Sequence, residues 1–329
     1  MQMRILSAND VQKALPMATA VAGMKQAYAQ LSSGAANVPL RGQLAVTPHA
    51  ATTLTMPAYL QESEALAVKV VSVFPGNADQ ALPLIHGLVL VLEADTGRPL
   101  ALMEGAALTA IRTGAGAGAA TDILARPEAA VAAILGSGVQ ARTQLEAVCT
   151  VREIKEVRVY SPTNAHAVAF ARELKGVGPI PNNIRIMSSA AAAVRGADII
   201  CAATTSSTPV FAGTDLKAGA HVNGVGSFLP TMQEIDFETV KKALVVVDQR
   251  EAALEEAGDL IIPIQEGKIT DGHIHAELGE IIAGRKPGRT TAQQITFFKS
   301  VGNAAQDAIA GKIALQTARE LGIGQEITL

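Results

Sequence analysis

The sequence of 329 residues contains no tryptophan, 3 % aromatic residues and two cysteines. Cys149 and Cys201 both lie in apolar stretches. Buried free thiols are therefore expected, and neither a disulfide framework nor a cysteine nucleophile is. Lys and Arg are scattered, with no run that would track a phosphate backbone, and the net charge is −3. No basic field attracts nucleic acid or anionic lipid. No apolar stretch approaches the roughly 20 residues needed to span a bilayer, and Met1-Gln2-Met3-Arg4 leads into no signal-peptide core. These absences predict a soluble, cytoplasmic protein whose partners include neither nucleic acid nor membrane. The histidines, among them His49, His221, His273 and His275, fall into no ligand spacing, so no metal is expected.

Apolar residues are plentiful at 49 %, and alanine and valine carry most of that fraction, which suits tightly packed α/β layers. The length points to two domains. The first part opens with an extended ILS and a helical run from Ala8 to Ser32. Extended segments follow at Leu54–Met56, Ala65–Ser72 and Gly87–Leu92. Ala94-Asp95-Thr96-Gly97 has turn chemistry, so Gly87–Leu92 and Pro99–Met103 form a predicted hairpin. A helix is predicted from about Leu108 to Leu124. Its small residues, Gly114 through Ala119, suggest close contact with another element.

From Ala130 the pattern becomes strand–helix alternation, with predicted strands at 131–135, 157–160, 184–187, 198–202, 220–224 and 244–248. This is the pattern of a doubly wound parallel sheet. The expected fold is α/β, a Rossmann domain over 126–302 with a smaller α+β domain over 1–125 and 303–329. The segment Ile295–Leu321 is predicted to be helical.

The strongest local signal is VAAILGSGVQA at 131–141, a short apolar strand running into Gly136-Ser137-Gly138-Val139-Gln140-Ala141 and then a helix. In that context Gly136 permits the tight turn, Gly138 lets the backbone approach a pyrophosphate, and Ala141 allows close helix–strand packing. The first-turn N–H groups would face the anion, so Gly136, Ser137, Gly138, Val139 and Gln140 are expected to bind a dinucleotide. The second predicted strand ends at Tyr160 and is followed by Ser161-Pro162-Thr163-Asn164. No carboxylate stands there to hold a ribose 2′-OH. The short hydroxyls of Ser161 and Thr163 suit a 2′-phosphate, so NADPH is expected, with NADH as the alternative.

Several segments together resemble the ornithine cyclodeaminase/μ-crystallin family. They include Pro39-Leu40-Arg41, Met56-Pro57, Val68-Lys69, Leu108–Ala115 (LTAIRTGA), the GSGVQA turn and Val225-Gly226 in HVNGVGSFLP. DQREAALEEAGD (248–259), GEIIAGRKPGR (279–289) and ITFFKSVGNAAQD (295–307) extend the match to essentially the whole chain. The resemblance implies a homodimer paired through the sheets of its N-terminal lobes. It implies chemistry at the Cα–N bond of a small amino or imino acid. It places Arg41 and Arg112 on the substrate carboxylate, which a guanidinium fork binds through both oxygens. Lys69 faces the substrate nitrogen or carboxylate, and in an apolar cleft its pKa can fall far enough to make it a proton donor. Thr113, Val225 and Gly302 join the expected nucleotide contacts, and Met56, His86 and Phe228 the substrate contacts; a histidine beside a strand start is more often a packed, hydrogen-bonded residue, with assistance to Lys69 the alternative for His86.

The sequence also departs from the family. Where the cyclodeaminases and archaeal alanine dehydrogenases carry an aspartate after the Val-Gly pair, this chain has Phe228. Where the cyclodeaminases have a glutamate near the Met-Pro pair, it has Leu54 and Thr55. A carboxylate clamp, a lysine and a nucleotide remain. That set predicts NAD(P)H-dependent reduction of a preformed cyclic ketimine carboxylate, with Lys69, Arg41 and Arg112 as the catalytic group and Phe228 as an apolar wall. The alternatives are an ornithine cyclodeaminase or alanine dehydrogenase-type oxidoreductase, and a non-catalytic NADPH-binding protein.

Overall fold

The computed structural model describes residues 2–80 and 82–328. The chain divides into two compact units, one formed by 1–112 with 303–329 and the other by 113–302. The first unit begins with β1 (Gln2–Leu6), α1 (Ala8–Ala14) and α2 (Met17–Ser33). The predicted helical run thus breaks at Leu15-Pro16, because a proline disfavours helical backbone in the residue before it. Then come β2 (Ala36–Asn37), β3 (Gly42–Val46), β4 (Ala51–Leu60), β5 (Ala65–Val73), β6 (Ile85–Leu92) and β7 (Pro99–Glu104). The predicted hairpin is present as the antiparallel β6–β7 pair. These strands form a sheet in the order β16-β1-β7-β6-β5-β4-β2, with β3 on β4; β16 (Gln325–Thr328) is the last strand of the chain.

Alternation along β5 sets the chemistry of this sheet. Ala65, Ala67 and Lys69 are buried, whereas Val70 on the other face is exposed. The buried face packs against α11 (Ala304–Leu321), which also lies on α2. Glycine permits that approach: a Cβ on Gly311 would come 2.8 Å from Val91, and one on Gly23 would come 2.5 Å from Ile313. The opposite face presents Leu44, Val70 and Leu88 at 66 %, 40 % and 49 % exposure.

α3 (Gly105–Leu124) starts earlier than the sequence suggests. The Glu104 carboxylate caps it, accepting from the N–H groups of Ala106 (2.9 Å) and Ala107 (2.7 Å). Arg112 and Thr113 therefore lie beyond its first two turns rather than near its start. The close approach expected of its small residues is made with α4 (Val139–Val151), where a Cβ on Gly114 would come 2.6 Å from the Thr143 backbone.

The second unit contains β8 (Val131–Leu135), α4, β9 (Glu156–Tyr160), α5 (Asn164–Leu174), β10 (Ile184–Ile186), α6 (Ala190–Val194), β11 (Ile199–Ala202) and β12 (His221–Gly224). It continues with α7 (Phe237–Lys242), β13 (Leu244–Val247), α8 (Arg250–Glu256), α9 (Gly258–Gln265), β14 (Ile274–Glu277), α10 (Leu278–Ile282) and β15 (Thr296–Lys299). Its sheet runs β10-β9-β8-β11-β12-β15-β13-β14, and its strands pair in parallel. Ala132 and Ile134 join Leu145, Val148 and Phe170 on one face, while Ala133 and Leu135 join Val194, Phe211 and Leu260 on the other. This is the doubly wound α/β fold expected.

Two strands of this sheet depart from the sequence expectation. Residues 295–321 do not form one helix: Thr296–Lys299 is strand β15, inserted between β12 and β13, and α11 starts only at Ala304. A short buried strand shows no two-residue alternation, so its apolar run passes for the start of the next helix. β14 is the other strand beyond the predicted six.

Candidate functional site

The glycine turn of the second unit is built as the fingerprint requires. Gly136 has φ +107°, and a Cβ there would come 2.5 Å from the Ala203 carbonyl, so backbone conformation and close packing both demand glycine. At Gly138, the N-cap of α4, an added Cβ would meet no protein atom. Packing therefore does not account for that glycine, and the open space leaves room for a ligand to approach the backbone. No side chain caps the N-terminus of α4 and no acid occupies its first turn, so the N–H groups from Val139 onward face the turn with favourable polarity for an anion. Ala141 is fully buried. Chain order reverses between β8 and β11, and the turn lies at that switch point, where such sheets bind ligands. These residues fit the pyrophosphate of a dinucleotide.

Ser137 and Ser161 join through their hydroxyls at 3.1 Å, which sets Ser161 beside the turn. Thr163 is the N-cap residue of α5, and Gln140 Oε1 is buried without a partner. Val225 follows β12, its N–H bonded to Ala202 O at 3.1 Å. Gly302 (φ +78°) already donates its N–H to Asp248 at 2.8 Å, so its amide is engaged. Phe228, expected as a wall over the substrate, is 47 % exposed on the loop after β12.

In the first unit, Lys69 and Arg112 converge on a residue that sequence reasoning does not single out. Asp307, in the first turn of α11, receives Lys69 Nζ at 2.8 Å on Oδ2 and Arg112 Nε at 3.0 Å on Oδ1. All three side chains are almost wholly buried. The Lys69 contact is a close ion pair rather than a well-aligned hydrogen bond, since Oδ2 closes no bond of good geometry. Gln306 adds a second anchor: its Oε1 accepts from Arg112 Nη1 (2.8 Å) and from the Asn303 N–H (3.1 Å), and its Nε2 donates to the Tyr28 hydroxyl (2.7 Å). Arg112 is thereby fixed in plane and orientation.

Burial is the largest influence on Lys69 and lowers its pKa. Asp307 opposes that, while Arg112 and Arg41 add to it, and the result is about 8. Arg41 therefore belongs to the electrostatic neighbourhood of Lys69. Burial would raise the Asp307 carboxyl, but Arg112 and Lys69 outweigh it and hold it below the usual carboxylate range. Met56 is buried and pairs directly with Lys69 across β4–β5, so both side chains lie on one face. His86 does not share that face. It pairs with Ser72, three residues from Lys69, and projects from the opposite side of the sheet. Of the two readings of His86, this face excludes direct assistance to Lys69 within the chain.

The cysteines are inert here, with burial pushing both thiols up to about 12. No described helix is long and apolar enough to cross a membrane.

Comparison with known proteins places these features. The ornithine cyclodeaminase/mu-crystallin family matches residues 1–321. A Delta(1)-pyrroline-2-carboxylate reductase of Bacillus cereus is 42 % identical over 326 residues, covering 99 % of each chain. The ketimine reductase mu-crystallin of Rattus norvegicus is 36 % identical over 94 % of this chain and 95 % of its own. The solved structure of Thermococcus litoralis Delta(1)-pyrroline-2-carboxylate reductase, in complex with NADH and L-proline, superposes with a TM-score of 0.93 at 46 % identity, covering 99 % of this chain and all of its own. Matched over residues 1–321, the chain belongs to the ornithine cyclodeaminase/mu-crystallin family.

Proposed function

We propose that this protein is an oxidoreductase that reduces small cyclic ketimine carboxylates with a reduced nicotinamide dinucleotide. The leading reactions are Δ1-pyrroline-2-carboxylate to L-proline and Δ1-piperideine-2-carboxylate to L-pipecolate. The observation that carries this reading is the buried Lys69–Asp307–Arg112 cluster, in a chain whose sequence puts phenylalanine, not aspartate, at position 228. With Nε and Nη1 held by Asp307 and Gln306, Arg112 offers its remaining donors to the substrate carboxylate, and Arg41 offers a second guanidinium. Lys69 holds the proton for the imine nitrogen: at about 8 it is mostly protonated at neutral pH yet readily gives the proton up. Asp307 keeps that ammonium charged and aimed. The nicotinamide, when bound, supplies hydride to the substrate Cα. The protonated imine is already electrophilic, so orientation and charge placement provide most of the acceleration. A phenylalanine at 228 exchanges no proton and holds no ammonium, which suits a substrate that arrives as a preformed imine.

In this reading the unit of 1–112 with 303–329 binds substrate and pairs with a second copy, and the unit of 113–302, which takes in the 113–125 stretch expected with the first, binds the nucleotide. The outward apolar face carrying Leu44, Val70 and Leu88 supports a homodimer through that sheet. The absence of a carboxylate after β9 and the paired hydroxyls of Ser137 and Ser161 favour NADPH over NADH. The test is cofactor oxidation at equal concentrations of NADPH and NADH with Δ1-pyrroline-2-carboxylate, with pyruvate plus ammonium and ornithine in parallel. Oxidation with the cyclic imine alone, faster with NADPH, is expected. Ammonia release from ornithine would overturn the reductase reading, and a preference for NADH would overturn the cofactor assignment.

A further inference from the structure

The reductase reading leaves unused a fully buried charged cluster in the second unit. Lys299, the last residue of β15, has no exposed surface, and the same is true of Asp259, Ser227 and Glu234. The Lys299 ammonium lies 2.9 Å from Asp259 Oδ2 and donates to both the carbonyl and the hydroxyl oxygen of Ser227. The Ser227 hydroxyl in turn donates to Asp259. The other Asp259 oxygen accepts the N–H groups of Glu234 (2.7 Å) and Ile235 (2.9 Å). Glu234 reaches back to the N–H of Ser227 (3.0 Å) and to that of Thr204. Three ionisable side chains thus tie together two loops, 203–206 after β11 and 225–228 after β12.

The loops are packed as closely as they are bonded. A Cβ on Gly226 would come 2.1 Å from the Thr204 carbonyl, and one on Gly136 would come 2.5 Å from the Ala203 carbonyl. The dinucleotide turn, the 203–206 loop and the 225–228 loop therefore form one stack at the carboxyl ends of β8, β11 and β12. Enclosing charges this way is costly, and apolar residues of similar volume often give equal or greater stability. Stability alone is a poor reason for the cluster, whereas fixing two loops in one conformation is a good one.

We infer that Lys299, Asp259 and Glu234 are positioning residues that lock these loops into a rim setting the nicotinamide end of the bound dinucleotide. The inference rests on the dinucleotide reading above. The pyrophosphate belongs at the Gly136 turn and the N-terminus of α4, and the ribose nearest Ser161 lies toward β9. The other half of the dinucleotide then extends over β11 and β12, where the rim stands.

The test is the double variant Lys299→Met/Asp259→Leu, which removes the ion pair while leaving Glu234 and the N–H groups of Glu234 and Ile235 without those partners, so its Tm is expected to fall. Below its unfolding temperature it is expected to keep its affinity for 2′-phospho-ADP-ribose, which lacks nicotinamide. It should lose the enhanced dihydronicotinamide emission of bound NADPH, and kcat with Δ1-pyrroline-2-carboxylate should fall about 100-fold, the cost of a misplacement near 1 Å. A folded double variant with wild-type emission and kcat would overturn the inference, as would equal losses of affinity for both nucleotides. If the double variant does not fold, Ser227→Ala decides: it deletes only the hydroxyl link, and the folded variant should show lowered emission and kcat. Should the wild type bind NADPH yet fail to reduce the imine, the reaction assignment falls, while the emission measurement still decides the role of the rim.

Discussion

Replacing Asp307 by asparagine removes the carboxylate that joins Lys69 and Arg112 while keeping the shape of the side chain. The substitution breaks ion pairs of 2.8 and 3.0 Å between side chains 1 %, 4 % and 7 % exposed. Removing one partner from such a buried pair costs about 3–5 kcal/mol, and here it leaves two cations facing each other. Asp307 favours the charged form of Lys69, and Arg112 and Arg41 oppose it, so the variant's lysine must fall below about 8. One pKa unit corresponds to about 1.36 kcal/mol of differential interaction, so the size of the downward shift reads out how much of the lost pairing acts on the ionisation of Lys69. Less ammonium at neutral pH means less proton donor. The alkaline limb of the kcat/KM profile should therefore move to lower pH, with reduced stability in urea. A pH–rate profile of Asp307→Asn beside the wild type reads this directly. An alkaline limb left in place, in a variant of unchanged stability, would refute the assignment of Asp307 as the group that charges and aims Lys69.

Further substitutions probe the other parts of the account. Lys69→Met should lower kcat/KM by about 10²–10⁴-fold, the usual contribution of a placed proton donor, and abolish the alkaline limb. Lys69 is depressed from 10.5 to about 8, so the unfolded chain binds more protons within that window and stability rises with pH through it; urea titrations of Lys69→Met should show that rise flattened. Gly136→Ala, at φ +107° and facing the Ala203 carbonyl, should cost about 1–3 kcal/mol of stability and abolish nucleotide binding. Gly138→Ala meets no protein atom, so its thermal unfolding should be unchanged while NADPH affinity falls by about tenfold or more, equivalent to about 1.4 kcal/mol. Leu88→Glu, on the exposed apolar face, should shift sedimentation from dimer to monomer without loss of secondary structure.

The elements legible in the sequence are those whose signal is local. The strand–glycine–helix passage at 131–151 has strand, turn and helix chemistry in immediate succession, and the α3 segment announces itself by its run of small residues. The β15 segment misleads because ITFFKSVGN mixes aromatic and small residues without alternation, and its strand character comes from two parallel neighbours placed by the fold. Asp307 is hidden for a different reason. An acid in the first turn of a helix is ordinarily a complement to the helix dipole, and its partner Arg112 stands 195 residues away. The ITFFKSVGNAAQD segment marks the neighbourhood without marking the residue. His86 lies on the strand next to that of Lys69, but the pairing register and two-residue alternation send them to opposite faces. Register alone decides that point, and register follows from pairing that a single chain segment does not carry.

Hydride delivery to Cα of a preformed cyclic imine, with Lys69 as the proton donor, leaves an isotopic record. One experiment incubates the protein with Δ1-pyrroline-2-carboxylate and each stereospecifically 4-deuterated form of NADPH, then reads the product by mass spectrometry and NMR while ammonium is assayed. L-proline carrying deuterium at Cα is expected from one of the two labelled cofactors, with no ammonium released and with the product absent or nearly so for Lys69→Met. Proline without deuterium from either cofactor, or product formation undiminished in Lys69→Met, would contradict this chemistry.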